Sequence, residues 1–218
     1  MNKNLCELVV ILDESGSMNS VLNDTIGGFN TFIETHQALP GEANLTLVKF
    51  NSSSEIVYNG VNIQNVPKLD NHTYQPGGMT ALLDAVGKSI DEVGKRLANI
   101  PEEDRPGKVI FMIVTDGEEN SSREYKIDKI KEKIIHQTDV YKWEFVFMGA
   151  DQDAWTTGTR MGTSNNVNFN SNDMSKTMKG MAYYSSNSRG YCTNTSLANF
   201  DLTETELDNE IQKIKNKK

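Results

Sequence analysis

The sequence predicts an α/β fold, a mainly parallel sheet covered by helices on both faces, and three observations carry that reading. Four short apolar runs, LCELVVIL (5–12), ANLTLVKF (43–50), KVIFMIVT (108–115) and WEFVFMG (143–149), are rich in β-formers and too short for helices. Helical patterns separate them, which makes the strands parallel neighbours joined by crossovers. One exception is KF-NSSS-EIVYNG (49–60), two strand-like runs joined by a four-residue polar loop, a hairpin that adds an antiparallel edge strand.

Each element follows from its pattern. The first strand stops at ILDESGSMNS (11–20), and a helix beginning near Ser20 places Leu22, Ile26, Phe29 and Ile33 on one face. After the hairpin, QPGGMTALLDAV (75–86) is a glycine-rich turn opening a helix with Leu83, Val86, Ile90, Val93 and Leu97 aligned, and Thr80 in its first turn. IPEEDRPGK (100–108) is a surface connection to the strand that ends in TDGEEN, and Ile127, Ile130 and Ile134 mark the next helix. Past Gly149, ADQDAWTTGTRMG reads as a short helix closed by glycine, NNVNFN as a short strand, and 173–187 as a polar helix carrying Met174, Met178 and Met181. In LTETELDNEIQKIKNKK, Thr203 and Glu206 are spaced for a capping box and Leu202 and Leu207 for a hydrophobic staple. This helix should dock Leu207, Ile211 and Ile214. No linker is long enough to separate domains, so we expect one domain over 1–218, with 170–218 a C-terminal helical extension packed on it.

Composition narrows the function. With 218 residues, 37% hydrophobic and 24% charged, the chain suits one well-buried core. A formal charge of -8, with no basic block except the closing KIKNKK, argues against nucleic-acid binding. No apolar stretch approaches the ~20 residues of a membrane span, and the start lacks an export pattern, so a cytoplasmic location is expected. Cys6 and Cys192 have no metal-ligand spacing, and His36, His72 and His136 are scattered, reading as ordinary surface or packing residues.

Asp13, Ser15 and Ser17 stand where the first strand meets its turn. In an open parallel sheet, ligands bind beyond the carboxyl ends of the strands, at the point where strand order reverses. Asp116 ends the other strong strand, and the turn at 75–80 delivers Thr80. Two carboxylates and three hydroxyls, without nitrogen or sulfur, suit Mg²⁺, with Mn²⁺ as the second choice, and disfavour zinc or copper. Neutral hydroxyls donate weakly, so an ion held there would still accept one more anionic oxygen.

At these residues the sequence resembles the von Willebrand factor A domain family over about residues 5–170. Its metal-ion-dependent adhesion site has the pattern DxSxS, a distant Thr and a distant Asp often followed by Gly, matched here by DESGS (13–17), Thr80 in GGMT and Asp116 in TDG. The resemblance implies a doubly wound six-stranded sheet of order 3-2-1-4-5-6. It also implies Ser15 and Ser17 as direct ligands, Thr80 as a direct ligand in the high-affinity arrangement, and Asp13 and Asp116 acting mostly through water. The open position would take a Glu or Asp from a partner protein. The chain looks most like free-standing bacterial and phage members, whose cytoplasmic representatives often serve as adaptors for AAA+ ATPases.

Simpler readings compete. Asp13, Ser15, Ser17 and Thr80 could be helix caps, Asp116 a turn residue, and Glu118, Glu119 and Asn120 a solvated acidic loop, while Met18, Tyr74 and Met79 could line a rim. A haloacid-dehalogenase-like phosphatase also places Asp after a first parallel strand, but Ser15 stands where that chemistry needs a carboxylic general acid. Met18 and Val21 spoil a calcium loop, and no GxxxxGK[ST] or GxSxG occurs; GTRMGT lacks the dinucleotide spacing. The expected function is therefore a Mg²⁺-dependent, non-enzymatic protein-binding module; the alternative is a structural subunit with a metal-bridged assembly contact.

Overall fold

The computed structural model describes residues 1–163, 165–169, 173–190 and 202–216. Its strands are β1 (Asn2–Asp13), β2 (Glu42–Phe50), β3 (Ser54–Asn62), β4 (Pro106–Thr115), β5 (Glu144–Ala150) and β6 (Asn165–Phe169). Its helices are α1 (Leu22–Ala38), α2 (Leu82–Ala98), α3 (Ile127–Tyr141), α4 (Asp151–Met161), α5 (Met174–Ser188) and α6 (Glu204–Lys215). The sheet has the expected order β3-β2-β1-β4-β5-β6, parallel except for the β2–β3 hairpin. Strand order reverses between β1 and β4, so the crest formed by Asp13 and Thr115 is the switch point.

Side-chain alternation along β1 builds two cores. Leu8, Val10 and Leu12 face α1 and α5, where Phe29, Phe32, Met174, Met178 and Met181 are buried. Val9 and Ile11 face the opposite layer, with Val86, Ile90 and Val93 of α2 and Ile130 and Ile134 of α3. Burial on both faces explains why the second half of β1 reads as the unbroken apolar run Leu8–Leu12. The buried Glu7 at mid-strand is an exception: Thr46 Oγ1 donates to its Oε1 at 2.7 Å, and the Arg96 guanidinium, from the last turn of α2, approaches to 2.5 Å.

Residues 173–190 contribute to the main core as well as following the motif region. A Cβ on Gly28 of α1 would lie 2.3 Å from Met178 Cβ, so α5 docks against bare backbone. The polar character of α5 is handled internally, since Ser185 and Ser186 are buried and donate to the carbonyls of Met181 and Ala182. His36 is enclosed between α1 and α5, with Nε2 2.8 Å from Ser185 Oγ and Nδ1 2.9 Å from Arg189 Nη1. Burial, reinforced by Arg189, holds its pKa well below the usual imidazole value. The capping box of α6 forms as expected, and Leu207 and Ile214 pack with Leu39, Tyr183 and Leu202. Cys192 lies outside the described residues, and Cys6 is buried.

Boundaries differ from expectation where local geometry overrides pattern. Residues 16–21 form a tight 3-10 turn, so α1 starts at Leu22 instead of near Ser20. Helix α2 starts at Leu82, which places Thr80 in the preceding loop. No described helix is long and apolar enough to cross a membrane.

Candidate metal centre

The five residues singled out from sequence meet at the crest. Ser15 Oγ lies 3.1 Å from Ser17 Oγ, and Ser17 Oγ donates to Asp116 Oδ1 at 2.6 Å. A Cβ on Gly117 would stand 3.2 Å from Thr80 Oγ1 and 3.4 Å from Ser17 Oγ, so these hydroxyls flank the point that glycine leaves open. Asp13 lies deeper: its Oδ1 accepts the Ser15 N–H at 2.7 Å and its Oδ2 accepts the Thr115 hydroxyl at 2.6 Å.

Capping does not account for these side chains. Ser15 occupies the N-cap of the 3-10 turn and makes no side-chain cap bond, and neither does Val21 at the N-cap of α1. The N-cap of α2 is Ala81. Its open N–H groups are met from the loop after β4, with Glu119 Oε2 accepting from Leu83 N at 2.9 Å and Ser122 Oγ accepting from Asp84 N at 3.0 Å. Thr80 is thereby left free of capping duty.

Three loops hold the crest together. Glu14 is bound by Lys49 at 2.9 Å and by the Gln75 N–H at 2.7 Å, while Gly77 N donates to Glu14 O and Gly16 N to Gly78 O. The hairpin turn after β2 supports the same loop, since Ala81 N donates to Asn51 O at 2.7 Å and Met79 N to Ser52 Oγ at 2.9 Å. Gly78 has φ +81° and would push a Cβ to 2.9 Å from Ser52 Oγ, so the GGMT turn requires glycine there. Tyr74 is buried, its hydroxyl donating to Asp13 O, and Met18 is core; of the three suggested rim residues only Met79 is exposed.

The acidic loop 118–120 is not simply solvated. Glu119 caps α2, and Asn120 forms a reciprocal pair with Thr80. Sequence reasoning passed over Thr115 and read Glu119 and Asn120 as part of a solvated acidic loop. The signal available for Glu119 was its place before Ser121 and Ser122, whose N–H groups it also accepts.

Electrostatics favour a cation. Burial pushes the Asp13 carboxyl up to about 6, against the pull of its bonds from Thr115 and Ser15, with the Asp116 charge adding to the rise. Burial also raises Asp116, opposed by Ser17. A positive ion between them would reverse both shifts. Donor spacing fits as well: neighbouring ligands in an octahedral shell at about 2.1 Å stand about 3.0 Å apart, close to the observed Ser15–Ser17 separation of 3.1 Å. Among the described residues no three His, Cys, Asp or Glu side chains gather as ligands.

Fold and crest together define a doubly wound domain with an oxygen-lined notch at its switch point. The von Willebrand factor type A domain model matches residues 7–182, and the chain belongs to that family. The match runs further than the motif alone indicated, reaching into α5. Among solved structures, the chain is similar to a von Willebrand factor type A protein from Catenulispora acidiphila (13% identity, TM-score 0.53, covering 83% of this chain and 42% of that one). It is also similar to the manganese-loaded TRAP protein of Plasmodium vivax (16%, TM-score 0.55, 82% and 73%) and to the ArnB paralog VWA2 of Sulfolobus acidocaldarius (15%, TM-score 0.54, 84% and 45%). At these identities the likeness concerns the fold. The chain spans less than half the length of the Catenulispora and Sulfolobus proteins. No curated protein matches it.

Proposed function

We propose that the protein is a non-enzymatic binding module whose crest holds Mg²⁺, or Mn²⁺ in its place, and takes a Glu or Asp side chain from a partner protein. The observation that carries this reading is that the Thr80 and Ser17 hydroxyls flank the space beside Gly117, with Ser15 and Asp116 in contact with Ser17 and Asp13 beneath Ser15. A bound divalent ion would supply Lewis acidity for one further anionic oxygen. Ser15, Ser17 and Thr80 would hold it directly, and the two aspartates would neutralise it.

Asp13 already has both oxygens engaged by protein donors, which suits an indirect role, through water. The chain's own residues fix the notch: Tyr74, Thr115 and Glu14 hold the loop ends, and the exposed Met79 offers an apolar contact beside the acid. Support for a divalent ion comes from the family and from the manganese-loaded Plasmodium relative. The charge of -8 favours a protein partner over nucleic acid. No membrane role and a cytoplasmic setting are part of the proposal, with an AAA+ ATPase as the partner class that the family suggests.

The test is a pull-down from the source cell in Mg²⁺ or EDTA, comparing the protein with Asp116→Ala. A partner retained in Mg²⁺ and lost under both other conditions is expected. Equal retention in all three would overturn the reading.

A further inference from the structure

We infer that Asn120 is a positioning residue that sets the metal affinity of the crest by locking Thr80. The inference rests on the metal reading given above and concerns how that site is controlled.

Thr80 is the ligand least anchored by its own element. It precedes α2 and follows a glycine turn, so helix geometry does not fix its backbone. What fixes it is a two-bond clamp: Thr80 N donates to Asn120 Oδ1 at 2.8 Å, and Asn120 N donates to Thr80 O at 3.0 Å. Both main-chain polar groups of Thr80 are thus taken by one residue, four positions after Asp116. Only an acceptor at the end of the Asn120 side chain meets the Thr80 N–H, so the amide oxygen must face inward.

Asn120 is itself held from both sides. Glu119 is tied to Leu83, Ser121 and Ser122, and Asp84 accepts the N–H groups of Arg123, Glu124 and Tyr125 at 2.8–2.9 Å. The loop after β4 and the start of α2 therefore form one body, with Asn120 as the part that reaches the ligand. Asp116, at one end of this loop, and Thr80, at the other side of the clamp, cannot change their separation without breaking it. Removing the Asn120 oxygen leaves the Asn120 N–H bond to Thr80 O and the fold's other bonds intact but opens the half of the clamp that holds the Thr80 N–H, loosening Thr80 on the turn at Gly77 and Gly78. The remaining direct ligands, Ser15 and Ser17, together with the two neutralising aspartates, would still bind an ion, more weakly.

The experiment is Mn²⁺ titration by calorimetry on the full chain and on Asn120→Ala, Asn120→Asp, Thr80→Ala and the double variant Thr80→Ala/Asn120→Ala, with metal-free melting curves for each. Asn120→Ala should weaken Mn²⁺ binding about five- to twentyfold while its metal-free melting temperature stays close to that of the parent, as expected for an outer-sphere group. Asn120→Asp, which keeps the acceptor, should bind at least as tightly as the parent. In the Thr80→Ala background, Asn120→Ala should change the affinity less than twofold. Should Asn120→Ala fail to fold, Asn120→Leu preserves the volume and gives the same comparison.

Unchanged affinity in Asn120→Ala, or an equal loss in both backgrounds, overturns the positioning role and leaves the metal site standing. A parent protein that binds no Mn²⁺ overturns both.

Discussion

Ser17 Oγ donates to Asp116 Oδ1 at 2.6 Å, joining two residues 99 positions apart in the chain. The bond closes the crest across the strand-order reversal and brings the loop after β1 against the loop after β4. In the proposed metal-bound state the same two atoms face a shared ion or its water, so the bond marks the width of the notch. Ser17→Ala removes it together with one ligand. We expect Mn²⁺ affinity to fall at least tenfold in calorimetry, with a loss of metal-free stability on the order of 1 kcal/mol in urea unfolding, because the pair lies near the surface.

Gly117→Ala probes the notch without touching a donor. The added Cβ would meet Thr80 Oγ1 at 3.2 Å and Ser17 Oγ at 3.4 Å, tight contacts with the very atoms that should hold the ion. Expected is a clear loss of metal binding beside a stability change within about 1 kcal/mol. Affinity equal to the parent's would mean that the open space beside Gly117 is not where the ion sits.

Asp13 gives the metal-free protein a pH dependence of known sign. Its carboxyl is raised by burial from 3.8 to about 6, so the folded form keeps the proton better than the unfolded form. The associated stability is fully present below about pH 4 and is lost as pH rises through 6, a cost on the order of 3 kcal/mol at neutral pH. Asp13→Asn, whose amide can keep the Ser15 N–H bond while the Thr115 hydroxyl turns toward Gly117 O, should be more stable than the metal-free parent at pH 7.5 and lose that advantage near pH 4. Urea unfolding in EDTA at four pH values reads this out. In the parent, stabilisation by added Mg²⁺ should grow over the same interval.

His36 acts in the opposite direction. Enclosure between α1 and α5 and the Arg189 charge depress its pKa, so stability is full above about pH 6.5 and falls as the pH drops below that value. The slope attributable to this one group is at most about 1.4 kcal/mol per pH unit. His36→Gln, compared with the parent between pH 4.5 and 7, should show a flatter profile; parallel curves would contradict the enclosure.

Gly28→Ala tests the seat of α5. The new methyl would sit 2.3 Å from Met178 Cβ, too close to be relieved by a rotamer change. We expect destabilisation of about 1–3 kcal/mol from overpacking, seen as a lower urea midpoint, with Mn²⁺ affinity largely preserved.

How far the sequence could be read depended on where the deciding contacts lie. The strands, the hairpin edge and the residues that meet at the crest were legible because strand ends and glycine turns are local signals, and the motif residues all sit at such ends; the strand order came from the family resemblance. The α6 capping box was legible for the same reason. Asn120 was not, because its partner Thr80 lies 40 positions away and an Asn in an acidic loop carries no pattern. The hairpin loop NSSS announced a turn but not that Asn51 and Ser52 would support the GGMT loop. The true start of α2 was hidden because its caps, Glu119 and Ser122, come from another segment. The polar composition of α5 gave no sign that Ser185 and Ser186 would be buried, because their bonds run back along their own helix.

The charged groups of β1 carry a consequence for how the sheet assembles. Glu7, midway along it, is met by Thr46 and Arg96, and Asp13, at its carboxyl end, by Ser15 and Thr115. Between them lie only interchangeable aliphatic side chains, which by themselves would tolerate sliding by two residues with little loss of packing. Such a slip would drag one carboxylate into hydrocarbon and strand the guanidinium that waits for the other. The central strand therefore carries its own ruler, graduated by two buried acids, and the distance between the marks fixes where β2 and β4 must come to rest.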